Sequence, residues 1–173
     1  SCRIRGFDDE LADAIDAVLD GGECRVGIES TVLDLTRDPA VILRPGAVTA
    51  EALAEVLGYR PALENDPRAA ASSPGVRHRH YRPRCQIRLF DPSAPPLPGA
   101  RDGLLRFASL PPTAAPAFTA CLKTLEEWSN RLYALFREAD AAGVVTLYVE
   151  QPPAMGLGIA LRDRIERAAS PRD

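Results

Sequence analysis

The feature that most constrains the fold is a long irregular segment, Tyr59 to Arg84, which separates two patterned regions of the chain. A stretch of about 25 residues without a helix or strand pattern is long for an ordinary connection, and such stretches are usually linkers or functional loops. We therefore predict two pieces, residues 1–58 and 85–173, joined by residues 59–84. A first piece of about 58 residues is short for a core of its own, which predicts further sequence upstream.

The first piece has the pattern of helices flanking two strands. Its predicted elements are a helix at Asp8–Leu19, strands at Arg25–Leu35 and Val41–Arg44, and a helix at Ala50–Leu57. The first strand holds the polar run Glu29-Ser30-Thr31 in its middle, and buried polar groups need hydrogen-bond partners. The helix signals are Thr49 before the last helix and Gly58 after it, which are typical capping residues.

The second piece alternates strand patterns with helix patterns. Its predicted strands are Gln86–Phe90, Gly103–Ser109 and Val144–Glu150, and its predicted helices are Thr119–Ala142 and Ile159–Ala169. Alternation of this kind is typical of an α/β unit with a mainly parallel sheet. We therefore predict a small α/β domain in this half.

The irregular segment ends in a strongly basic stretch, Ser73–Arg84, that contains both histidines, four arginines and no acidic residue. It fits either a solvated linker or a loop that closes on an anion, with arginine forks on phosphate and Tyr81 beside them. Zinc binding by His78, His80 and Cys85 is a third possibility. Their spacing does not match the usual structural zinc sites, so we predict no metal site in the protein.

Composition excludes several classes of protein. The net charge of −3, with 46% hydrophobic and 26% charged residues, is that of a soluble globular protein and gives no overall attraction to nucleic acid. No apolar run approaches about 18 residues, so we predict no membrane segment. The four cysteines occur singly, without a CxxC pair, which favours a cytoplasmic protein with free thiols.

Four segments carry a family resemblance when they are taken together. They are GIESTVLDLT (Gly27–Thr36), ILRPGAVTAE (Ile42–Glu51), PGVRHRHYRP (Pro74–Pro83) and GLGIALRDRIERAA (Gly156–Ala169). In this order and spacing they resemble the two-domain threonylcarbamoyl-AMP synthases. That family has a YrdC-like catalytic domain, a linker and a smaller C-terminal domain.

The resemblance implies a domain assignment. Residues 1–58 would be the C-terminal part of the YrdC-like α/β domain, residues 59–84 the interdomain linker that acts as a lid, and residues 85–173 a small Rossmann-like α/β domain with a mainly parallel sheet. The family's upstream lysine–arginine pair and Ser-Ala-Asn segment are not found in this sequence. We therefore expect these 173 residues to be inactive alone.

The resemblance also implies a reaction and its residues. The resemblance implies a nucleotidyltransferase that uses ATP with Mg²⁺. The family joins L-threonine and bicarbonate to AMP and releases pyrophosphate. Its product, threonylcarbamoyl-AMP, serves the threonylcarbamoyladenosine modification of tRNA. Ser30 matches the position that binds L-threonine, and Arg44 and Tyr81 match positions that bind ATP. No residue of this chain matches a catalytic position, and partner proteins of tRNA modification are implied.

A different class of function remains open. The chain would then be a truncated or degenerate paralogue without catalysis, which binds nucleotide or RNA through Arg77–Arg84 or docks a partner protein. Exchange of pyrophosphate into ATP that depends on threonine and bicarbonate distinguishes the two possibilities.

Overall fold

The structure is a computed structural model that describes residues 17, 19, 26–64, 83–107 and 116–170. Its strands are β1 (Val32–Asp34), β2 (Val41–Arg44), β3 (Ala62–Leu63), β4 (Gln86–Phe90), β5 (Asp102–Arg106), β6 (Phe118–Cys121) and β7 (Thr146–Glu150). Its helices are α1 (Ala50–Leu57), α2 (Leu125–Ala141) and α3 (Leu157–Ala169). The predicted helix at Asp8–Leu19 and the basic stretch up to Arg82 lie outside this range, apart from residues 17 and 19.

The first piece contains a three-stranded sheet in the order β1-β2-β3. β1 runs antiparallel to β2, and β3 pairs with β2 in parallel. Two predictions were wrong here. The strand expected at Arg25–Leu35 is regular only from Val32, because the preceding polar run packs against a turn instead of a strand. The pair Ala62–Leu63, expected to be irregular, is held in the sheet by backbone pairing with β2.

Helix α1 confirms the predicted helix and its ends. The Thr49 hydroxyl accepts a hydrogen bond from the Ala52 amide at 3.2 Å. At the other end Gly58 adopts a φ of 77°, and its amide donates to the Ala54 carbonyl. Because both capping residues lie within a stretch of ten residues, the helix was predictable from the sequence without knowledge of its packing.

The second piece confirms the predicted α/β fold with a mainly parallel sheet. Its four strands stand in the order β4-β7-β5-β6, and all three pairings are parallel. Helices α2 and α3 cover one face of this sheet. The hydrophobic residues with no exposed surface in this core are Leu105, Leu122, Trp128, Leu132, Leu135, Ala139, Leu147, Val149, Leu161 and Ile165.

Strand β6 corrects the prediction of one long helix from Thr119. Residues Phe118–Cys121 pair with β5, and the helix starts only at Leu125, where the Thr124 hydroxyl accepts from the Glu127 amide at 3.1 Å. The apolar residues of this stretch fit a helical stripe equally well, so the pairing with β5 decides the outcome.

The first piece contributes to the core of the second. Ile28, which is 7% exposed, belongs to the same buried cluster as Trp128. Gly27 lies against α2 so closely that a Cβ atom there would be 2.6 Å from the Ser129 carbonyl oxygen and 2.7 Å from the Asn130 Cα. The segment before β1 therefore docks directly onto the second piece. In the part of the chain that the structure describes, no helix combines the length and apolar character that a membrane crossing requires.

Candidate functional site

Two of the three predicted site residues meet in the structure. Ser30 is exposed just before β1, and Arg44, 8% exposed, is the last residue of β2. The Arg44 guanidinium donates to the Ser30 carbonyl through Nε at 3.1 Å and Nη2 at 2.9 Å, and Nη2 also reaches the Ser30 hydroxyl at 3.3 Å. Tyr81, the third residue, lies outside the described residues, so its place at this site stays a prediction.

A tight turn after β2 holds the two residues together. A Cβ atom on Gly46 would lie 2.4 Å from the Thr31 amide nitrogen and 2.5 Å from the Glu29 carbonyl oxygen, so only glycine fits. Beyond the turn, the Thr31 hydroxyl donates to the Val48 carbonyl at 2.6 Å. The Pro45-Gly46 turn is therefore locked onto the polar run that contains Ser30.

The site is electrostatically suited to an anion. The pKa of Arg44 is lowered from its ordinary value, first by burial and then by the positive charge of Arg164, while Glu29 partly offsets the effect. A guanidinium remains charged at any physiological pH. Two neighbouring guanidiniums disfavour each other's charge, and an incoming anion such as phosphate relieves that repulsion.

Sequence reasoning missed the residue that ties this site to the second piece. Arg164, on α3, is 5% exposed. Its Nε donates to the Glu29 carboxylate, its Nη2 donates to the Pro45 carbonyl at 3.1 Å, and its Nη1 bonds the Asp163 carboxylate. Glu29 and Arg164 stand 135 positions apart, and the only signal in the sequence was that the polar run needed partners.

A tyrosine completes the environment of Glu29. The Tyr133 hydroxyl, on α2, lies 3.1 Å from both carboxylate oxygens of Glu29. Burial raises the pKa of Glu29, but hydrogen bonding and charge from Arg164 outweigh it, and the pKa is lowered overall. Burial lowers the pKa of Arg164, yet the hydrogen bond and negative charge of Glu29, together with the charge of Asp163, outweigh it and the pKa is raised. Both groups are therefore held in their charged forms.

A cavity of about 380 Å³ opens between the first sheet and α3. Its walls include the apolar residues Ile42, Leu63 and Ile159 and the charged residues Glu64, Arg162 and Arg167. Ser30 and Arg44 are not among its lining residues. Both signs of charge are present at its rim, so the cavity by itself does not select one class of ligand.

The described residues do not form a metal centre. Within residues 26–64, 83–107 and 116–170, no three His, Cys, Asp or Glu side chains are grouped to hold a metal ion. The carboxylate nearest the site, Glu29, is already bound by Arg164 and Tyr133. His78 and His80 lie outside the described residues.

Comparison with known proteins places this chain in a family. Residues 48–170 match the family model described as threonylcarbamoyl-AMP synthase, C-terminal domain, which is more than half of the chain. The chain belongs to the threonylcarbamoyl-AMP synthase family. Residues 2–46 match a second model, Sua5/YciO/YrdC, described as telomere recombination.

Individual relatives agree with this assignment. The chain is 30% identical over 174 residues to threonylcarbamoyl-AMP synthase of Pyrococcus abyssi, a match that covers 91% of this chain and 50% of that protein. It is 29% identical over 177 residues to threonylcarbamoyl-AMP synthase of Bacillus subtilis, which covers 94% and 51%. The chain thus spans about half the length of the curated relatives it matches.

A solved structure has the same fold. The crystal structure of P. abyssi Sua5 complexed with L-threonine superposes with a TM-score of 0.73 at 28% identity, over 92% of this chain and 51% of that one. The family resemblance and the fold class expected from sequence are confirmed. The domain boundaries at residues 58 and 84 and the roles of Ser30, Arg44 and Tyr81 stay predictions.

Proposed function

We propose that this chain is part of an L-threonylcarbamoyladenylate synthase, to which it contributes the Ser30–Arg44 site. The observation that carries the proposal is the contact between these two residues, because the family places threonine at one and ATP at the other. The guanidinium of Arg44 bonds the carbonyl and the hydroxyl of Ser30. This contact holds the two proposed substrate positions next to each other.

The proposed reaction has two steps. The amine of L-threonine adds to bicarbonate, which gives a carbamate and releases water. A carbamate oxygen then attacks the α-phosphorus of ATP, and the bond to the pyrophosphate leaving group breaks. Ser30 binds and orients threonine through its hydroxyl, which donates and accepts hydrogen bonds. Arg44 offers positive charge to the phosphates, and Tyr81 adds a contact from the linker.

The contribution of this chain is therefore positioning and charge neutralisation. Holding a nucleophile in line with a phosphorus atom supplies a large part of the rate enhancement of such transfers, and fixed positive charge supplies another. Among the described residues, no group of three or more His, Cys, Asp or Glu side chains could hold a metal ion. Mg²⁺ that accompanies ATP is usually held by the phosphates, water and one or two carboxylates, and we assign it no ligand in this chain.

One observation favours the second candidate, a non-catalytic module. Arg44 is buried and its guanidinium already bonds Ser30, so a phosphate has to displace or share that contact. In this case the protein binds nucleotide or RNA weakly, or docks a partner of tRNA modification, without turnover.

Exchange of labelled pyrophosphate into ATP tests the proposal in the natural full-length protein. We expect exchange that requires both L-threonine and bicarbonate. Arg44→Gln should raise the ATP requirement by roughly tenfold or more, because one charge-assisted hydrogen bond corresponds to about that factor. Arg131→Gln, an exposed arginine on α2, serves as the matched control.

Two results would contradict the assignment. Absence of threonine-dependent exchange in the natural protein would leave the non-catalytic module, and calorimetry with ATP would then show whether nucleotide binding persists. An unchanged ATP requirement in a folded Arg44→Gln variant would remove Arg44 from the ATP site.

A further inference from the structure

Arg164 makes contacts that a simple surface or core residue does not make. It is 5% exposed and belongs to the second piece, yet two of its three partners, Glu29 and Pro45, belong to the first. Its third partner, Asp163, is its neighbour on α3 and also accepts from Arg167 at 2.9 Å. One guanidinium thus spans the junction between the pieces.

Both partners in the first piece are direct neighbours in sequence of a residue of the candidate site. Glu29 directly precedes Ser30, and Pro45 directly follows Arg44. Arg164 therefore holds the immediate neighbours of both residues of the candidate site, one through a side chain and one through a backbone carbonyl. A shift of α3 moves both neighbours together.

The local packing transmits such a shift with little loss. Gly46 has no room for a Cβ atom against the backbone of Glu29 and Thr31. Close-packed protein interiors have low compressibility and transmit strain. Ser30 and Arg44 consequently follow the positions of Glu29 and Pro45.

Stability alone is a poor account of this arrangement. Removing two charges from water costs free energy that their attraction often only just returns, so a buried ion pair is weak evidence for stabilisation. A forked guanidinium with several acceptors is, however, well suited to fix geometry. The contacts of Arg164 are of this geometric kind, with acceptors on α3, on the run before β1 and on the turn after β2.

We propose that Arg164 is a positioning residue for the Ser30–Arg44 site and acts through Glu29 and the Pro45 carbonyl. This inference rests on the proposed function for the identity of the substrates, and on the structure alone for the mechanical link. It gives the second piece a defined part in substrate binding: its last helix sets the distance and orientation of the threonine and ATP positions. Tyr133 supports the same carboxylate from α2.

The test compares Arg164→Gln and Arg164→Lys in the natural full-length protein, with Arg131→Gln as the control. We expect Arg164→Gln to weaken L-threonine binding by roughly tenfold or more in calorimetry, the factor that corresponds to one charge-assisted hydrogen bond. Arg164→Lys keeps the charge but loses the fork, and should recover only part of the affinity. Arg131→Gln should leave the affinity unchanged.

Hydrogen exchange supplies a readout that needs no substrate. We expect Arg164→Gln to speed amide exchange in residues 28–31 and 44–47, while exchange in β7 stays at the wild-type rate. If the wild-type protein binds neither threonine nor ATP, the proposed function fails, and this exchange pattern alone decides the positioning role. If threonine binds but exchange in these two segments is unchanged, the positioning role fails while the proposed function stands.

A merely structural role gives a different pattern. It would speed exchange throughout both pieces and lower the unfolding temperature, yet leave the threonine affinity of the folded protein within about twofold of wild type. Should Arg164→Gln fail to fold, Glu29→Gln takes its place, because it removes the carboxylate charge that Arg164 Nε binds. Unchanged threonine affinity and unchanged exchange at residues 28–31 in Glu29→Gln would then overturn the proposal.

Discussion

The two pieces of the molecule bury their residues to different degrees. In the second piece Leu105, Leu147 and Val149 are fully buried at the centre of a parallel sheet covered by two helices. In the first piece all three residues of β1 are only partly buried, and the best buried described side chain, Ile42, is 2% exposed. The second piece has a core of its own, whereas the described part of the first piece packs against that core through Ile28.

The candidate site lies on the first piece, whose described residues are less buried than those of the second piece. Ser30 is exposed and bonds Arg44 within the first piece, while their neighbours Glu29 and Pro45 are held by Tyr133 on α2 and Arg164 on α3. Local stability varies across a fold, and binding residues often lie at its less stable end. The contrast indicates that the second piece serves as the rigid platform for the candidate site.

The largest expected effect is on the free energy of unfolding, when Trp128 in the core of the second piece is replaced. This side chain is fully buried and stacks on Phe107, with ring centroids 4.5 Å apart. Trp128→Ala should lower the free energy of unfolding by about 3–5 kcal/mol, the cost of a large cavity. Urea unfolding followed by circular dichroism measures it, because Trp128 is the single tryptophan and fluorescence is lost with it.

The matched control is Leu97→Ala, an apolar residue that is 81% exposed. It should change the free energy of unfolding by no more than about 0.5 kcal/mol. A loss of less than about 1 kcal/mol in Trp128→Ala would show that the second piece is not the stable platform.

An intermediate effect is expected where the first piece docks. Gly27→Ala places a Cβ atom in steric clash with the backbone, 2.6 Å from the Ser129 carbonyl oxygen and 2.7 Å from the Asn130 Cα. Neither backbone atom is free to move, so the segment has to lift from α2, at a cost of about 1–3 kcal/mol. Amide exchange should rise in residues 26–31 and stay unchanged in β7.

The control for this change is Gly99→Ala, whose Cβ would meet only the Asp102 carboxylate at 3.4 Å. Equal exchange in Gly27→Ala and in wild type at residues 26–31 would contradict the docking. Faster exchange in both pieces at once would show that they unfold as one cooperative unit, and the contrast between them would then disappear.

The sequence predicted those elements whose signals are local. Helix α1 has its caps, Thr49 and Gly58, inside its own segment, and β4 was read at its observed bounds. Strand β6 and the start of α2 were not predictable in this way, because the apolar residues within 118–122 suit a strand and a helix equally well. Pairing with β5 decides between them, and that pairing is a property of the whole sheet.

The residues of the candidate site also divide into those that a local sequence signal predicts and those that only the folded chain reveals. Ser30 and Arg44 were named because they fall in short motifs, and the structure brings them together. Arg164 was overlooked because a charged residue on an amphipathic helix usually faces solvent. Its partner Glu29 is 135 positions away, so only the folded chain shows that the two belong together.

The smallest expected effect is the pH dependence carried by Glu29. The folded pKa of this carboxyl lies below its ordinary value of 4.5. Burial raises the pKa, but hydrogen bonding and charge from Arg164, with a hydrogen bond from Tyr133, lower it by more. Arg44 also faces this group with positive charge. A depressed pKa contributes stability that is complete above the unfolded-state pKa and is lost as pH falls through the folded pKa. The 38% exposure of the Glu29 side chain screens the pair, so we expect about 1 kcal/mol or less.

Urea unfolding at pH 7 and at pH 3 measures this contribution. Between these two values the wild-type free energy of unfolding should fall by more than that of Glu29→Gln, since the amide cannot be protonated in this range. Glu55→Gln, an exposed position on α1, should keep the wild-type difference. If Glu29→Gln loses as much stability on acidification as wild type does, the charge of this carboxylate does not link the two pieces. The links that remain are then Ile28 in the shared core, Gly27 against α2 and the hydrogen bond from Arg164 to the Pro45 carbonyl.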